Sequence, residues 1–316
     1  MTERTHLVLG AGAVGTTIAR MLAADGQPVR LASRRGVDPG IGGVQPVRVD
    51  ATRPDEVRAA AAGSVVAYFA VQPAYTDWPA GFPLLVGGVL GGLAGTGTRL
   101  VMVDNLYMYG PTGGAPITED LACAARTRKG MARAAVAERL LAADREGSVR
   151  VAIGRASDFF GPGAADSVVG ERFFGPLLDG KPVQVFGRPE LAHSYTYLPD
   201  FARARVELGR HQEAFGRAWH VPTAPAVSTR RFLEIAAEAA GVPPRPSRVS
   251  SLMLRLAGLA VPEAREMIEM AYEFEEPFVL DSSAFEAAFG LRPTPLEDSI
   301  PATVAWWRED LESVAA

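Results

Sequence analysis

Hydrophobic positions in the first half of the chain form short continuous runs that alternate with longer stretches of helical spacing. The continuous runs predict strands at residues 6–10, 29–32, 44–49, 65–70, 100–103 and 149–153. The stretches in which apolar residues recur every three or four positions predict helices at residues 13–24, 54–62, 84–93 and 127–143. Because strands joined by crossover helices pair side by side with a right-handed connection, this order predicts an α/β fold built on a parallel sheet.

After about Phe160 the pattern changes, because glycine and proline become frequent and the predicted strands become shorter. Strands are predicted at residues 183–186, 195–198 and 218–221, and helices at residues 200–208, 229–240, 263–274, 282–289 and 300–311. We therefore predict a larger domain at residues 1–160 and a smaller, mixed α/β substrate lobe at residues 161–316, with some segments of the lobe returning to the core.

An uncharged stretch at residues 79–98 resembles a membrane span in its hydropathy. It contains two G-x-x-x-G spacings, formed by Gly87 with Gly91 and by Gly88 with Gly92, a pattern found where membrane helices touch. Its many glycines, its prolines and its place between two predicted strands favour a different structure, a buried helix that lies close to a sheet. We predict no membrane span.

Composition and the first residues indicate which partners, metal sites and cellular location to expect. A net charge of −4 and a pI near 5.7 give no reason to expect a nucleic-acid partner. Cys123 is the one cysteine of the chain, which excludes an intrachain disulfide, and no H-x-x-x-H, C-x-x-C or carboxylate cluster predicts a metal site. The first residues lack the basic and long apolar regions of a secretory signal, so we expect a cytoplasmic protein.

A glycine-rich turn directly follows the first predicted strand. Gly10, Gly12 and Gly15 give the pattern G-x-G-x-x-G, and the next predicted helix begins with Ala13 and Val14. In such turns the first glycine permits a tight bend, the second lets the backbone approach a pyrophosphate, and the third lets the helix pack on the strand. The helix N-terminus offers N–H groups to the anion. In this context the pattern predicts a doubly wound, Rossmann-type domain that binds NAD(P) at residues 1–160.

The end of the second predicted strand bears on the choice of dinucleotide. An acidic residue that would bond the ribose 2′-hydroxyl of NAD is expected about twenty residues after the glycines. This sequence instead has Ser33, Arg34 and Arg35 there, which suit a 2′-phosphate because a hydroxyl and two guanidiniums can donate to it. We therefore favour NADP(H). The alternative is NAD(H), with the arginines on a solvated loop and Asp38 turned inward.

Seven segments along the rest of the chain match, in order, motifs that occur together in one protein family. They lie at residues 49–51, 68–73, 101–111, 116–120, 154–163, 193–202 and 289–296. On these motifs the chain resembles the extended short-chain dehydrogenase/reductases, the NAD-dependent epimerase/dehydratase type, which act on nucleotide sugars and other small carbonyl compounds. The resemblance implies that Asp50 bonds the adenine amino group and that Ala70, Val71 and Gln72 lie beside the cofactor.

The catalytic positions depart from this family. Its members carry Tyr-x-x-x-Lys on the long helix and a Ser or Thr after the fifth strand, whereas this chain has Lys129, Arg133 and Asn105 in those places. Asn105 can donate a hydrogen bond to an oxyanion. Arg133 supplies charge but cannot relay a proton. Lys129 can transfer a proton and is our predicted donor; a solvated basic face without chemical duty is the alternative.

Further side chains complete the predicted site. Tyr107 is the alternative proton donor, and Tyr109, Asp158, His193 and Tyr195 are expected to contact the substrate. The favoured function is an NAD(P)-dependent oxidoreductase or epimerase/dehydratase-like enzyme that acts on a small carbonyl compound. A non-redox isomerase, cyclase or lyase and a catalytically silent NADP(H)-sensing protein are the alternatives. The apolar face of the long helix suits either a homodimer or core packing.

Overall fold

The computed structural model describes residues 5–250, 253–254, 256, 258–259 and 262–315. These residues form two units, each with its own hydrophobic core. The first, which we call the sheet unit, contains the residues up to 108 together with 128–155 and 201–221. The second unit contains residues 109–127, 156–200 and those from 222 onward.

The helices and strands are numbered in chain order. The strands are β1 (Thr5–Leu9), β2 (Val29–Ser33), β3 (Val44–Arg48), β4 (Ser64–Phe69), β5 (Arg99–Asp104), β6 (Val151–Arg155), β7 (Asp158–Phe160), β8 (Val183–Phe186), β9 (Ala192–His193), β10 (Tyr195–Tyr197), β11 (Arg217–His220), β12 (Val227–Ser228) and β13 (Pro246–Val249). The α-helices are α1 (Ala13–Ala24), α2 (Pro54–Ala61), α3 (Trp78–Leu93), α4 (Arg128–Arg145), α5 (Glu171–Leu178), α6 (Leu198–Arg210), α7 (Thr229–Ala240), α8 (Pro262–Ile268), α9 (Ser283–Phe289) and α10 (Leu296–Ala315). Short 3-10 turns lie at Tyr107–Tyr109, Gln212–Ala214 and Ala271–Phe274.

A seven-stranded parallel sheet forms the centre of the sheet unit. Its strand order is β11-β6-β5-β4-β1-β2-β3, and the predicted α/β class with a doubly wound parallel sheet is confirmed. Central strands such as β4 and β6 are buried at almost every position, as expected for strands covered on both faces. The strand order reverses at β1, and open α/β sheets bind their ligands outside the carboxyl ends of the strands at such a switch point.

Helix α3 accounts for the uncharged stretch of the sequence. A Cβ on Gly88 would lie 2.1 Å from the carbonyl oxygen of Ala51, and a Cβ on Gly92 would lie 2.6 Å from Val57. The two glycines therefore let α3 approach α2 and the loop before it, whereas the sequence suggested an approach to the sheet. In the part of the chain that the structure describes, no helix combines the length and the hydropathy that a membrane crossing needs.

Aromatic side chains contribute much of the core of the second unit. Phe160 packs edge-on against Phe232, with ring centroids 5.1 Å apart. Phe232 lies on α7, whose ends carry well-defined caps: the Ser228 hydroxyl accepts the N–H of Arg231 at 3.1 Å, and Gly241 ends the helix at a left-handed φ of 73°. These local signals explain why α7 has the bounds that its sequence predicts.

The sequence predicted one helix at residues 263–274, but the structure divides this segment into α8 and the 3-10 turn. Glu273 lies in the turn, and its carbonyl oxygen accepts a hydrogen bond from Nδ1 of His193 at 3.2 Å. In a continuous helix this carbonyl would accept from the N–H four residues later, but Pro277 has no N–H. Because residue 277 is a proline, the Glu273 carbonyl oxygen accepts a hydrogen bond from the His193 imidazole instead.

Candidate functional site

The glycine turn after β1 is shaped by close backbone approaches. Gly10 has a left-handed φ of 111°, and a Cβ there would lie 2.7 Å from the backbone nitrogen of Val71. A Cβ on Gly15 would lie 1.9 Å from the carbonyl oxygen of Gly10. Both positions therefore require glycine for the fold itself. Gly12 differs, because a Cβ there would meet nothing within 4 Å, and the space in front of it is open to a ligand.

The first turn of α1 supplies hydrogen-bond donors beside this turn. The helix begins at Ala13, and no side chain caps its N-terminus. The N–H groups of Ala13, Val14 and Gly15 belong to the first turn, whose donors have no acceptor within the helix. The first turn carries no acidic residue that would offset the partial positive charge of the helix end. These residues therefore fit the pyrophosphate of a dinucleotide, the group that the fold implies.

The residues at the end of β2 remain near the surface. The Ser33 hydroxyl accepts the N–H of Gly36 at 3.0 Å, so its proton remains for donation to another group. Arg34 and Arg35 are exposed. Asp38 is exposed too, and its carboxylate accepts the backbone N–H two residues later at 2.9 Å. Asp38, the acidic residue that NAD would need, is thus bonded within its own turn. The guanidiniums of Arg34 and Arg35 are accessible to an anion.

Asp50 follows β3, the position that the family resemblance assigns to adenine binding. Its Oδ1 accepts both the N–H and the hydroxyl of Thr52, at 3.0 and 2.7 Å. These two bonds hold the pKa of Asp50 below its usual value, and the charge of Arg34 acts in the same direction. Asp50 is therefore an anchored carboxylate, and adenine binding by it stays a prediction.

The segment after β4 lies against the glycine turn. Ala70 donates its N–H to the carbonyl of Leu9 at 2.8 Å, and the near contact of Gly10 with Val71 was described above. Gln72 has a partner of its own, because its Oε1 accepts a hydrogen bond from Nη2 of Arg133 at 3.2 Å. Of the three residues expected beside the cofactor, Ala70 and Val71 flank the glycine turn and Gln72 contacts a catalytic candidate.

Arg133 is buried between aromatic rings and a carboxylate. Its guanidinium carbon lies 4.3 Å from the ring centroid of Trp78 and 4.4 Å from that of Phe82. Nη1 lies 3.3 Å from Oδ1 of Asp104. Burial lowers the pKa of Arg133, and the charge of Asp104 opposes this change. The side chain is therefore held as a fixed cation inside the sheet unit.

Lys129 also lies inside the sheet unit, with only 1% of its surface exposed. Its ammonium nitrogen stands 4.3 Å from the ring centroid of Tyr75, and Tyr75 packs edge-on against Trp78. The Lys129 side chain is therefore not solvated, which differs from the solvated basic face that the sequence left as an alternative. Proton donation by Lys129 stays a prediction. Because the ammonium group is buried, donation requires that a substrate atom reach it.

Asn105 and Tyr107 follow the carboxyl end of β5. Oδ1 of Asn105 accepts the backbone N–H of Tyr107 at 3.2 Å, so the NH₂ end of the amide remains for donation to a ligand. Tyr107 is partly exposed, and its ring stacks on Trp78 with centroids 5.8 Å apart. The ring of Trp78 thus contacts Tyr75, Tyr107 and Arg133.

Asp104 is a central residue that sequence reasoning missed. Besides Arg133 it pairs with Arg155, whose Nε lies 3.4 Å from Oδ2. A third guanidinium, that of the fully buried Arg205, interacts electrostatically with the same carboxylate and donates to the carbonyl of Gly154. A signal was present in the sequence, since β5 and β6 end in residues of opposite charge, and these two are register partners in the sheet.

The predicted substrate residues all lie in the second unit. Nε2 of His193 lies 2.9 Å from Oδ2 of Asp158, so the structure brings these two together. The hydroxyl of Tyr195 bonds with Oγ1 of Thr229 at 2.8 Å, and burial raises the pKa of this phenol. Tyr109 is buried. Asp158 and His193 thus form a pair of titratable side chains in contact, whereas the hydroxyl of Tyr195 is bonded to a threonine.

The described residues contain no group of three or more His, Cys, Asp or Glu side chains that could hold a metal ion. Cys123 is exposed. His211, a surface histidine, pairs with Glu207 at 2.7 Å and with Glu213 at 3.1 Å. Within the sheet unit, the candidate groups are the glycine turn, the buried cations and the polar residues after β5.

A seven-stranded parallel sheet whose first strand leads into a glycine turn and a helix N-terminus defines a Rossmann-type α/β protein. Residues 89–221 match the family model described as the NAD dependent epimerase/dehydratase family. The resemblance predicted from the motifs is confirmed by this match. No curated protein matches the sequence closely enough to count as a relative.

Solved structures share the fold over nearly the whole chain. UDP-glucuronic acid 4-epimerase from Bacillus cereus, in complex with NAD, is 15% identical, with 99% of each chain covered and a TM-score of 0.79. An epimerase from Methanothermobacter thermautotrophicus is also 15% identical, covering 99% of this chain and 94% of that one with a TM-score of 0.82. A dTDP-glucose 4,6-dehydratase double mutant from Streptomyces venezuelae with NAD bound is 18% identical, with 98% of each chain covered and a TM-score of 0.79. At these identities the likeness establishes the fold.

Proposed function

We propose that this protein binds a nicotinamide dinucleotide on the sheet unit and catalyses the reduction of a small carbonyl compound, or the oxidation of the corresponding alcohol, as an atypical relative of the epimerases and dehydratases. The observation that carries the proposal is the open space at Gly12 beside the uncapped start of α1. Two neighbouring glycines are required by the fold, but Gly12 is not, so its lack of a side chain is best explained by a bound pyrophosphate. Calorimetric titration with the oxidised and reduced dinucleotides tests it, and no heat at millimolar concentration would refute it.

The chain's own residues would orient and polarise the substrate. A bound dinucleotide supplies the hydride acceptor or donor. The amide NH₂ of Asn105 would donate to the substrate carbonyl oxygen. Tyr107, partly exposed and stacked on Trp78, would give that oxygen a proton or take one from it. The buried cations Lys129 and Arg133 would supply positive charge behind these groups.

NADP(H) is the dinucleotide that we propose, with NAD(H) as the alternative. Two of the similar solved structures hold NAD, as their names state. In this chain, however, the end of β2 presents the exposed guanidiniums of Arg34 and Arg35, and Asp38 closes its own turn. A 2′-phosphate would find charge-assisted donors there, whereas NAD would lose the usual acidic partner of its ribose.

We predict that Arg34→Ala weakens NADP(H) binding by about 10-fold, or roughly 1.4 kcal/mol, because one charge-assisted contact to the 2′-phosphate is lost. NAD(H) affinity should change by less than twofold. Arg20→Ala, which removes an exposed arginine from the middle of α1, is the matched control and should leave both affinities unchanged. Equal weakening of NAD(H) and NADP(H) by Arg34→Ala would contradict the preference for NADP(H).

Two variants separate the candidate proton donors. We predict that Tyr107→Phe lowers kcat by about 10²-fold or more, since it keeps the ring on Trp78 and removes only the hydroxyl. Lys129→Met should mainly lower stability, because it removes a buried ammonium group that lies over the ring of Tyr75. The measurement is NADPH oxidation with small aldehydes. The reverse pattern, full rate in Tyr107→Phe and loss of rate in Lys129→Met, would make Lys129 the donor.

A second candidate function has a specific observation in its favour. Both positions of the family's Tyr-x-x-x-Lys pair hold buried cations in this chain, one engaged with Tyr75 and the other with Asp104. A protein that binds NADP(H) as a sensor and catalyses nothing would show such a change. Tight, selective binding of one redox form, with no turnover of any aldehyde or alcohol tested, would favour the sensor.

A further inference from the structure

A series of polar contacts connects the buried interior of the sheet unit with its surface. Asp104, at the end of β5, is buried, and its Oδ1 lies 3.3 Å from Nη1 of Arg133. Nη2 of Arg133 donates a hydrogen bond to Oε1 of Gln72 at 3.2 Å. The Arg133 side chain keeps only 5% of its surface exposed, whereas Gln72 is exposed. Gln72 is therefore the member of this series that a ligand can reach.

The chemistry of Arg133 determines which end of the Gln72 amide is available to a ligand. A guanidinium donates hydrogen bonds and accepts none, so the amide oxygen must be the atom that faces it. The NH₂ end keeps both of its protons and makes no hydrogen bond to another described residue. A charged donor on the amide oxygen also polarises the amide and strengthens donation by its NH₂ group.

Arg133 can hold the amide in this orientation because its own position is fixed by several elements. The rings of Trp78 and Phe82, both on α3, lie 4.3 and 4.4 Å from the guanidinium carbon. Asp104 approaches the guanidinium from the end of β5. Among the side-chain nitrogens of Arg133, Nε and Nη1 make no hydrogen bond to any described residue, so its side-chain hydrogen bonding is directed at Gln72.

The strand order indicates which part of a dinucleotide Gln72 would meet. Gln72 stands three positions after the end of β4, and β4 and β5 lie on one side of β1, with β2 and β3 on the other. Arg34 and Asp50, the residues assigned to the adenosine half, follow β2 and β3. A dinucleotide whose pyrophosphate rests at the glycine turn crosses the switch point at β1. Its nicotinamide half is therefore expected at the ends of β4 and β5.

We propose that Gln72 donates a hydrogen bond to an oxygen atom of the nicotinamide half of the dinucleotide, and that Arg133 is the positioning residue that directs this donor. The nicotinamide half comprises the nicotinamide ring with its carboxamide, the ribose and the phosphate joined to that ribose, and all of them carry oxygens that accept. The inference rests on the proposed function, since it concerns the cofactor of that same reaction. It gives Arg133 a role that requires no contact with the substrate.

The first test compares the whole dinucleotide with its adenosine half. In calorimetry, Gln72→Leu should weaken NADPH binding by about 10-fold and leave the affinity for 2′,5′-ADP, which lacks the nicotinamide half, unchanged. Gln72→Glu should weaken NADPH binding at least as much, because it keeps an acceptor for Arg133 and replaces the NH₂ donor by a second acceptor. Unchanged NADPH affinity in Gln72→Leu, or equal weakening of both ligands, would overturn the proposal.

The second test asks whether Arg133 acts through Gln72. Arg133→Lys keeps a cation for Asp104 but lacks the fork that also reaches Gln72. It should weaken NADPH binding by about 5-fold in the wild-type background and by less than about twofold in the Gln72→Leu background. A purely structural role would weaken binding equally in both backgrounds and overturn the assignment.

Arg139→Lys is the matched control for this variant. Arg139 is exposed, lies on the same helix, α4, and donates to the carbonyl of Pro83 at 2.9 Å. The control should leave NADPH affinity unchanged. Because Gln72 is exposed, its variants are expected to keep the fold, and they test the contact even where Arg133→Lys lowers stability.

The third test measures the orientation of the amide without any ligand. Nitrogen-15 NMR with labelled glutamine identifies the NH₂ signals of Gln72 by their loss in Gln72→Leu. In the wild-type protein these signals should differ from those of a solvated glutamine, and in Arg133→Lys they should move towards them. Identical signals in wild-type and Arg133→Lys proteins would overturn the positioning role. Saturation with NADPH should shift the signals of the wild-type protein again.

This proposal and the proposed function fail in different ways. If calorimetry detects no dinucleotide, the proposed function is wrong, whereas the NMR result on Gln72 and Arg133 stands by itself. If NADPH binds and Gln72→Leu binds it equally well, the proposed function holds and the assignment of Gln72 is wrong. For a protein that prefers NAD(H), NADH and AMP are the equivalent pair of ligands, and the same outcomes decide.

Discussion

Replacing Asp104 by alanine should lower the free energy of unfolding by about 3–5 kcal/mol, the range measured when a buried ion pair loses one partner. The carboxylate is buried and stands against Arg133 and Arg155, and the charge of Arg205 acts on it as well. Its removal leaves three buried guanidiniums in the sheet unit without their shared counter-charge. Chemical denaturation followed by circular dichroism measures the change.

A surface ion pair and a double variant provide the controls. Asp179→Ala breaks a pair at 2.9 Å with Lys181 in which both side chains are largely exposed, and it should leave stability almost unchanged. Arg133→Met combined with Asp104→Ala should recover part of the loss, because one unpaired guanidinium is removed with its partner. A loss below about 1 kcal/mol for Asp104→Ala would show that the guanidiniums do not depend on this carboxylate.

Gly12→Ala should weaken dinucleotide binding by about 10- to 100-fold, or 1.4 to 2.7 kcal/mol, while changing stability little, because the stiffer unfolded chain and the poorer N-cap of α1 act in opposite directions. Its backbone angles, φ −79° and ψ −175°, suit alanine, and the added methyl group would meet no protein atom within 4 Å. The methyl group would occupy the space that the pyrophosphate needs. Calorimetry for affinity and thermal denaturation for stability, on the same preparation, test the loss of binding and the nearly unchanged stability together.

Gly42→Ala is the matched substitution for this prediction. Gly42 is exposed, and a Cβ there also meets nothing within 4 Å, but the residue belongs to the loop before β3 and not to the glycine turn. It should leave binding unchanged and alter stability little. Unaltered affinity in Gly12→Ala would mean that no ligand backbone approaches this position, and the proposed function would lose its main support.

Much of the fold follows from local pattern. The predicted strands of the first half coincide with β1 to β6 to within two residues at each end, because apolar runs buried on both faces have few other solutions. The glycine turn was equally readable, since the bend and the close approaches at Gly10 and Gly15 demand glycine wherever the motif folds. The single helix predicted at residues 263–274 was wrong, because α8 ends at Ile268 and the 3-10 turn that follows contacts His193, a residue distant in the chain.

The candidate site was only partly predictable. Lys129 and Arg133 were identified by their spacing on one helix, but the sequence could not show that they are buried, since their aromatic neighbours Tyr75 and Trp78 lie more than fifty positions away in the chain. Asp104 went unnoticed for the same reason. Its role appears only when β5 and β6 align in register and bring two strand ends of opposite charge together.

The amino-acid sequence by itself determined the α/β class, the order of the strands along the chain and the glycine turn, because each depends on residues within one or two turns of each other. The tertiary structure alone decided that β11 returns from the second half to pair with β6, that Asp104 serves three guanidiniums, and that Asp158 meets His193. Those interactions join residues far apart in the chain, and only the folding of the whole chain brings them together.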